Sequence, residues 1–144
     1  MTIKQISLFL ENKPGHLASI CKALADAKIN IVTLSLADTQ QFGIVRLIVD
    51  DWEKAGAVLK AAGFAVNVRD VLAVGVRDEP GGMTALLAII EKAGVNIEYM
   101  YAFAAHVGSE AVLVFRFDDG AKAEAALAQA GVQILSPAEV LKLR

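Results

Sequence analysis

Hydrophobic and polar residues along the first half of the chain alternate with two different periods. A period of two residues, which is typical of a strand with one buried face, occurs at residues 3–10, 30–37, 43–49 and 64–69. A period near 3.6, which is typical of an amphipathic helix, occurs at residues 15–27 and 52–62. The predicted order of elements in this half is therefore βαββαβ.

The second half of the chain repeats the first. An offset of 66 residues places Pro14-Gly15 on Pro80-Gly81 and Asn30-Ile31 on Asn96-Ile97. Each Pro-Gly pair follows an apolar strand pattern and precedes an apolar helix pattern. The strand, loop, helix and second strand thus repeat together, which indicates two copies of one fold.

The offset increases to 68 residues further along, where Asp50-Asp51 corresponds to Asp118-Asp119. The second copy therefore carries two extra residues between its second and third strands. Because turns tolerate insertions better than strands, we predict hairpin turns near Thr39 to Gly43 and near His106 to Glu110, with the insertion in the latter. The two acid pairs predict helix N-caps. Three glycines predict helix C-termini with positive φ: Gly63, Gly94 and Gly131.

The βαββαβ order packs as a four-stranded antiparallel sheet with both helices on one face, because each βαβ crossover is right-handed. The sequence therefore predicts an α+β protein of two tandem ferredoxin-like modules, residues 1–70 and residues 71–144. This arrangement leaves the other face of each sheet bare. Tyr99, Tyr101 and Phe103 alternate along one strand, and we place them, with Ile97 in phase, on that outer face.

Composition excludes several classes of function. The 144 residues carry a net charge of -2, which argues against a nucleic-acid-binding basic patch. No apolar run reaches the roughly 18 to 20 residues of a membrane span, and the first residues lack a signal-peptide pattern, so we expect a soluble cytoplasmic protein. One cysteine excludes an intrachain disulfide, and with two histidines we expect neither a metal site nor a cofactor.

Both copies contain an apolar strand that ends in Asn/Asp-x-Pro-Gly-x-Leu/Met, an amphipathic helix and then Asn-Ile. This pattern resembles the ACT domain, and residues 37–43 with Arg46 further resemble free-standing tandem ACT proteins. The resemblance implies that a free amino acid binds beside the loop between first strand and first helix, where two modules meet. The residues that it implicates are Asn12, Lys13, Pro14, Gly15, His16, Leu17, Asn30, Ile31, Asp78, Glu79, Pro80, Gly81, Gly82, Met83, Asn96 and Ile97.

The chemistry of these loops agrees with an amino acid ligand. A helix start presents unpaired N–H groups that suit a carboxylate, and a glycine lets the ligand approach the backbone. Oxygens of Asn12, Asn30, Asp78 and Asn96 can accept hydrogen bonds from an ammonium group. Asp78 adds a charge that Asn12 lacks, so we expect unequal affinities. Val76 and its counterpart Leu10 stand where serine-binding members can carry a polar residue, which favours a more apolar amino acid.

Simpler interpretations of the same residues stay open. Each Pro-Gly pair can be a tight turn into a helix, and Asn30 and Asn96 can be turn residues. His16 can be an exposed residue of the first helical turn or a neutral donor to a carboxylate. His106 fits a solvated loop residue better than a metal ligand.

The sequence lacks a Gly-x-Ser-x-Gly elbow, a phosphate-binding loop and a dinucleotide fingerprint, so an enzyme is not predicted. We predict a non-catalytic, allosteric regulatory protein that binds a free amino acid at module interfaces. The alternative is an assembly subunit that binds a separate amino-acid-metabolism enzyme and keeps only vestigial ligand sites. RNA stacking on the aromatic strand is disfavoured because the RNP-like string is absent. The apolar content of 56% predicts a homo-oligomer, most simply a dimer.

Overall fold

The computed structural model describes residues 1–11, 13–38 and 41–143. The strands are β1 (Ile3–Glu11), β2 (Ile31–Asp38), β3 (Phe42–Val49), β4 (Val66–Arg77), β5 (Ile97–Val107), β6 (Glu110–Phe117) and β7 (Ile134–Leu135). The helices are α1 (His16–Asp26), α2 (Trp52–Ala61), α3 (Gly82–Ala93), α4 (Gly120–Gln129) and α5 (Pro137–Leu141). None of the helices in these ranges is both long and apolar enough to cross a bilayer.

The predicted element order is confirmed, with two differences. The last strand of the first copy and the first strand of the second copy form one continuous strand, β4. A short helix that the sequence analysis did not predict, α5, follows β7. Its start carries a capping box in which Ser136 and Glu139 bond each other's backbone N–H, with Pro137 in the first turn.

Backbone contacts divide the chain into two compact units. The N-terminal unit is Lys4–Arg69, and the C-terminal unit comprises Met1–Ile3 together with the residues from Asp70 onward. The assignment of modules to residues 1–70 and 71–144 stays a prediction.

Each unit has an antiparallel sheet with two helices against one face. In the N-terminal unit β3 lies between β2 and β1, and in the C-terminal unit the strand order is β7-β4-β6-β5. The N-terminal core joins strand residues such as Leu8 to helix residues such as Leu24. The C-terminal core joins Val74 and Phe115 to Leu86 in the same way. The predicted pair of ferredoxin-like modules is therefore confirmed.

Two of the helices begin at the predicted aspartate caps. The Asp51 side chain accepts a hydrogen bond from the Lys54 N–H at 3.1 Å. Asp119 accepts from the Lys122 N–H, also at 3.1 Å. Each of these bonds satisfies a backbone N–H that the first helical turn would leave unpaired, so the N-termini of α2 and α4 are capped by a side chain.

A left-handed residue follows each of the helices α1 to α4, and the three predicted glycines occupy that position with φ values of 94° at Gly63, 70° at Gly94 and 76° at Gly131. After α3, the Gly94 N–H donates to the Glu91 carbonyl at 3.0 Å, and the next N–H reaches back to Ile90. This pattern is a Schellman motif. At the end of α1 the same position is filled by Lys28, with φ 60°, so the backbone of a residue with a Cβ adopts a conformation that favours glycine.

We expect Lys28→Gly to raise the free energy of unfolding by about 1 kcal/mol, because glycine removes the steric cost of the left-handed backbone. Gly94→Ala should lower it by a similar amount. A Cβ at Gly94 would meet only the Lys122 Nζ, at 3.8 Å, so the second change tests the backbone angle without a clash. Urea unfolding of both variants measures the effects, and a loss of stability in Lys28→Gly would contradict the assignment.

The two extra residues of the second copy lie within β5 and not in the hairpin turn. Phe103 pairs with Val112 and His106 pairs with Ala111, so β6 has no residues opposite positions 104 and 105. The predicted turn itself is present at residues 108–109, where Gly108 has φ 61°. The prediction that the turn absorbs the insertion is wrong, because a bulge accommodates it while the turn stays tight. Thr39 and Gln40, where the other predicted turn begins, lie outside the described residues.

The outer face of the C-terminal sheet also differs from the prediction. Ile97 pairs with Phe117 and packs against the core, and the register is irregular between Ile97 and Tyr99. Ile97 and Tyr99 therefore lie on opposite faces of the sheet. The prediction that Ile97 shares the aromatic face is therefore wrong. Nor is this face bare, since Phe103 is 7% exposed and Val114 is fully buried.

Candidate functional site

The Pro-Gly pair of each repeat forms a tight turn that leads directly into a helix. In the C-terminal unit the Gly82 N–H donates to the Glu79 carbonyl at 3.0 Å across Pro80 and Gly81. Gly81 has φ 87° and ψ -9°, values that belong to the third position of a type II turn and that favour glycine. Gly15 in the N-terminal unit has the same angles. Both Pro-Gly pairs are therefore tight turns, and a ligand site beside them stays a prediction.

These turns leave α1 and α3 without a side-chain cap. Gly15 and Gly81 are the N-cap residues, and neither has a side chain that can accept from the first N–H groups. The other three helices have capping bonds from Asp51, Asp119 and Ser136. Because the first turn of a helix has unpaired N–H groups and a partial positive charge, the starts of α1 and α3 are chemically suited to bind a carboxylate.

Two adjacent glycines shape the start of α3 for different reasons. A Cβ at Gly82 would lie 2.0 Å from the Arg77 carbonyl oxygen, so the end of β4 touches the helix start where only glycine fits. A Cβ at Gly81 would meet no atom within 4 Å. Gly81 is therefore required for its backbone angle and leaves open space beside the turn. The first repeat carries His16, the first residue of α1, at the position of Gly82.

A cleft of about 440 Å³ opens beside this turn, within the range of small-molecule sites. It lies between the end of β4, the first turns of α3 and the segment that precedes β7. Its apolar lining includes Val76, Ala85, Leu86, Ile89 and Val132. Its polar side chains are Arg77, Glu79, Glu110 and Gln133.

Charges are arranged asymmetrically in the cleft. The Arg77 Nη1 lies 3.5 Å from the Glu79 Oε1, and both side chains are largely exposed. Glu110 Oε2 is buried and has no hydrogen-bond partner among the described residues. With the exposed pair neutralising itself, the cleft retains one net negative charge, that of Glu110.

Glu110 was not identified from the sequence. It is the first residue of β6 and pairs with Arg77 of the neighbouring strand β4. These two residues are far apart in the sequence, so local patterns do not reveal that they are neighbours. The comparison of the two repeats contained a signal, because the corresponding residue of the first repeat is Phe42. A change from an aromatic to an acidic residue beside the turn marks the second repeat as chemically different.

The turn of the N-terminal unit also carries an ion pair, but here the acidic residue comes before the basic one in the sequence. Lys13 Nζ lies 2.5 Å from Glu11 Oε2, at the positions that Glu79 and Arg77 occupy in the second repeat. The hydrogen bond and the charge of Lys13 lower the pKa of Glu11 below its usual value, and Glu11 raises the pKa of Lys13. Asn12, the predicted acceptor between these two residues, lies outside the described residues.

The structure brings only part of the predicted site residues together. Asp78, Glu79, Pro80, Gly81 and Gly82 follow one another at the cleft end of the C-terminal sheet. The Asp78 Oδ2 lies 2.9 Å from His106 Nε2, so this carboxylate already has a partner, and His106 is an exposed residue of β5.

The predicted asparagines lie at the other end of each sheet. Asn96 precedes Ile97, which pairs with Phe117, whereas the cleft residue Arg77 pairs with Glu110 at the start of β6. The Asn96 backbone N–H donates to the Asp118 carboxylate at 2.9 Å. Asn30 donates to Asp50 in the same way at 3.1 Å. Within one unit, the asparagines and the Pro-Gly turn are therefore separated by the length of the strands.

Four apolar residues among the predicted contacts lie at the cores of their units. Leu17 and Met83 pack against the cores of their units, as do Ile31 and Ile97. Among residues 1–11, 13–38 and 41–143, no group of three or more His, Cys, Asp or Glu side chains is arranged to hold a metal ion.

Comparison with known proteins gives consistent results. The family model described as the ACT domain pair matches residues 1–143. The crystal structure of a protein from Bacteroides thetaiotaomicron is 38% identical in sequence and has a TM-score of 0.91, covering 99% of this chain and 98% of that chain. A search of the curated proteins found no match.

More distant structures share the fold. The ligand-free regulatory subunit of aspartate kinase from Thermus thermophilus is 21% identical with a TM-score of 0.65, covering 89% of this chain and 90% of that chain. The corresponding subunit from Thermus flavus is 20% identical with a TM-score of 0.61, covering 89% and 92%. The repeated Pro-Gly turn, the two βαββαβ units and the match over residues 1–143 lead to one conclusion: the chain belongs to the ACT domain family, as an ACT domain pair.

Proposed function

We propose that the protein is a non-catalytic regulatory protein that binds a free amino acid in the cleft beside the β4–α3 turn. The observation that carries this proposal is the uncapped start of α3, which opens beside a cleft of about 440 Å³. The unpaired N–H groups of the first helical turn suit the α-carboxylate of the ligand. The absent side chain of Gly81 gives the carboxylate room to reach them.

The lining of the cleft supports an aliphatic ligand. Leu86 and Val76, which are 4% and 7% exposed, form part of its wall, together with Ile89 and Val132. A hydrocarbon side chain placed against these residues gains the free energy of removing apolar surface from water. We therefore propose leucine, isoleucine, valine and methionine as the first ligands to test.

The N-terminal unit offers a second, weaker site in this proposal. Gly15 has the same backbone angles as Gly81, and Asn12, Lys13, His16 and Leu17 stay predicted contacts there. The charge beside this turn is already balanced within the Glu11–Lys13 pair. The C-terminal turn has the additional carboxylate of Glu110 beside it, so we expect the two repeats to bind the ligand with unequal affinities. Asn30, Asn96, Ile31 and Ile97 stay predicted contacts, although strand pairing places them at the opposite end of the sheet from the Pro-Gly turns.

A sensor without catalytic groups acts through another protein or through its own assembly. We propose an enzyme of amino acid metabolism as the regulated partner. The Thermus thermophilus protein with this fold is itself a regulatory subunit, that of aspartate kinase. A cytoplasmic location stays a prediction.

Ligand binding is tested by a thermal-shift screen with the twenty common amino acids, since a ligand that binds only the folded state raises Tm. Gly81→Val should abolish the shift, because a β-branched residue both strains the left-handed backbone and fills the space beside the turn. Gly15→Val is the matched control. It has the same φ of 87° and the same open surroundings, so it loses similar stability while the C-terminal site keeps its ligand.

Isothermal titration calorimetry of both variants quantifies the difference. Equal binding by Gly81→Val and the parent protein would show that the ligand does not use the β4–α3 turn. Loss of binding in Gly15→Val alone would move the principal site to the N-terminal unit.

We also propose that the protein forms a homodimer through the outer face of the N-terminal sheet. Phe9 is 57% exposed and Phe42 is 50% exposed. The register pairs Phe9 with Ile44 and Glu11 with Phe42, so the two phenylalanines are diagonal neighbours on the face that points away from the helices. A symmetric contact between two such faces would remove these rings from water.

The double change Phe9→Ser and Phe42→Ser should weaken dimer formation by removing that apolar contact. Leu141→Ser is the control, because Leu141 is also exposed but lies in α5. Sedimentation velocity over a wide concentration range measures the association. A monomeric parent protein at all concentrations would disprove the dimer.

A further inference from the structure

We infer that Glu110 receives the ammonium group of the amino acid and makes the C-terminal cleft selective for ligands with a free amino group. This inference rests on the proposed function, because it assigns a further residue to the same cleft. It differs from the sequence prediction, which assigned the ammonium group to Asp78 and Asn96.

The position of the Glu110 carboxylate depends on a glycine in the neighbouring strand. A Cβ at Gly75 would lie 2.2 Å from the Glu110 Oε2 and 3.3 Å from its Cδ. The carboxylate therefore lies directly over the Gly75 backbone, in space that any other residue would fill. The Gln133 Cβ also lies close to this space, at 3.4 Å from the position that a Cβ of residue 75 would take.

The Glu110 Oε2 is a strong acceptor without a donor. It is buried, and no described residue forms a hydrogen bond with it. A buried carboxylate oxygen in this condition is energetically unfavourable, and a donor in the cleft removes the penalty once the end of the flexible Glu110 side chain turns toward it. An ammonium group is the best match, because it supplies three donors and a positive charge.

In the structure the other charged groups near the cleft are paired with one another and not with the Glu110 Oε2. Arg77 is the cationic residue of the lining, and its guanidinium lies by Glu79 with 78% of the side chain exposed. Asp78, the acidic residue predicted for this role, is next to His106 at 2.9 Å. Glu110 is thus the carboxylate that remains for a ligand inside the cleft.

The two repeats differ at the two positions on which this arrangement depends. Gly75 and Glu110 correspond to Phe9 and Phe42 in the first repeat. A phenylalanine offers an ammonium group neither an oxygen acceptor nor a negative charge, and its side chain occupies the space that Gly75 leaves open. The Pro-Gly turn is common to both units, whereas the ammonium acceptor belongs to the C-terminal unit.

The α3 start and Glu110 together complement a zwitterion. The α3 start offers N–H donors to the carboxylate of the ligand, and Glu110 offers an acceptor to its ammonium group. An N-acetylated amino acid keeps its carboxylate and side chain but lacks the positive charge. The cleft should therefore reject it, and the rejection should depend on Glu110.

The test uses calorimetry of the full chain with each amino acid that shifts Tm in the screen, beside its N-acetyl derivative. We expect the parent protein to prefer the free amino acid, and Glu110→Gln to weaken its binding roughly 10- to 100-fold while leaving the weak binding of the N-acetyl compound unchanged. Gly75→Ala should reproduce the loss, because the added Cβ displaces only the end of a flexible side chain. Glu91→Gln, on an exposed position of α3 outside the cleft, is the control for charge.

The outcomes separate this inference from the proposed function. If Glu110→Gln and Gly75→Ala both bind the free amino acid as tightly as the parent, while Gly81→Val loses it, the cleft is the site and the role of Glu110 is wrong. If the parent protein binds none of the twenty amino acids, the proposed function fails and this inference fails with it.

Discussion

A glycine held at φ 87° between a strand and a helix is the constraint on which each unit depends. It closes the type II turn after the first strand of each repeat and places the first helical turn against the end of that strand. In the C-terminal unit the contact is so close that the next residue, Gly82, has no room for a Cβ beside the Arg77 carbonyl. The helix therefore begins without a side-chain cap, which leaves the N–H groups that follow Gly82 available to a ligand.

The two repeats keep this backbone and differ in the side chains around it. Gly75 and Glu110 place a buried carboxylate beside the C-terminal turn, whereas Phe9 and Phe42 place exposed rings near the N-terminal one. A duplicated fold can thus serve two purposes in one chain. We propose recognition of an amino acid for the second repeat and contact with another copy for the first.

Local patterns in the sequence were sufficient to predict the βαββαβ order and the caps, because a residue such as Asp51 acts on N–H groups three positions away. Features that depend on pairing between distant strands could not be predicted. The bulge before His106 and the inward phase of Ile97 follow from register with β6. The contact of Glu110 with Gly75 is of the same kind. Helix α5 was missed although Ser136 begins a recognisable capping box.

The central claim is that the ligand binds at the second Pro-Gly turn and not at the first. The most direct test is a titration of the parent protein, followed by amide NMR, with the amino acid that gives the largest Tm shift. The account predicts large, saturable changes at the amides of Gly81, Gly82 and the neighbouring residues 131–133, with little change at Gly15. Changes centred on Gly15, or none at Gly81 on saturation, would contradict it.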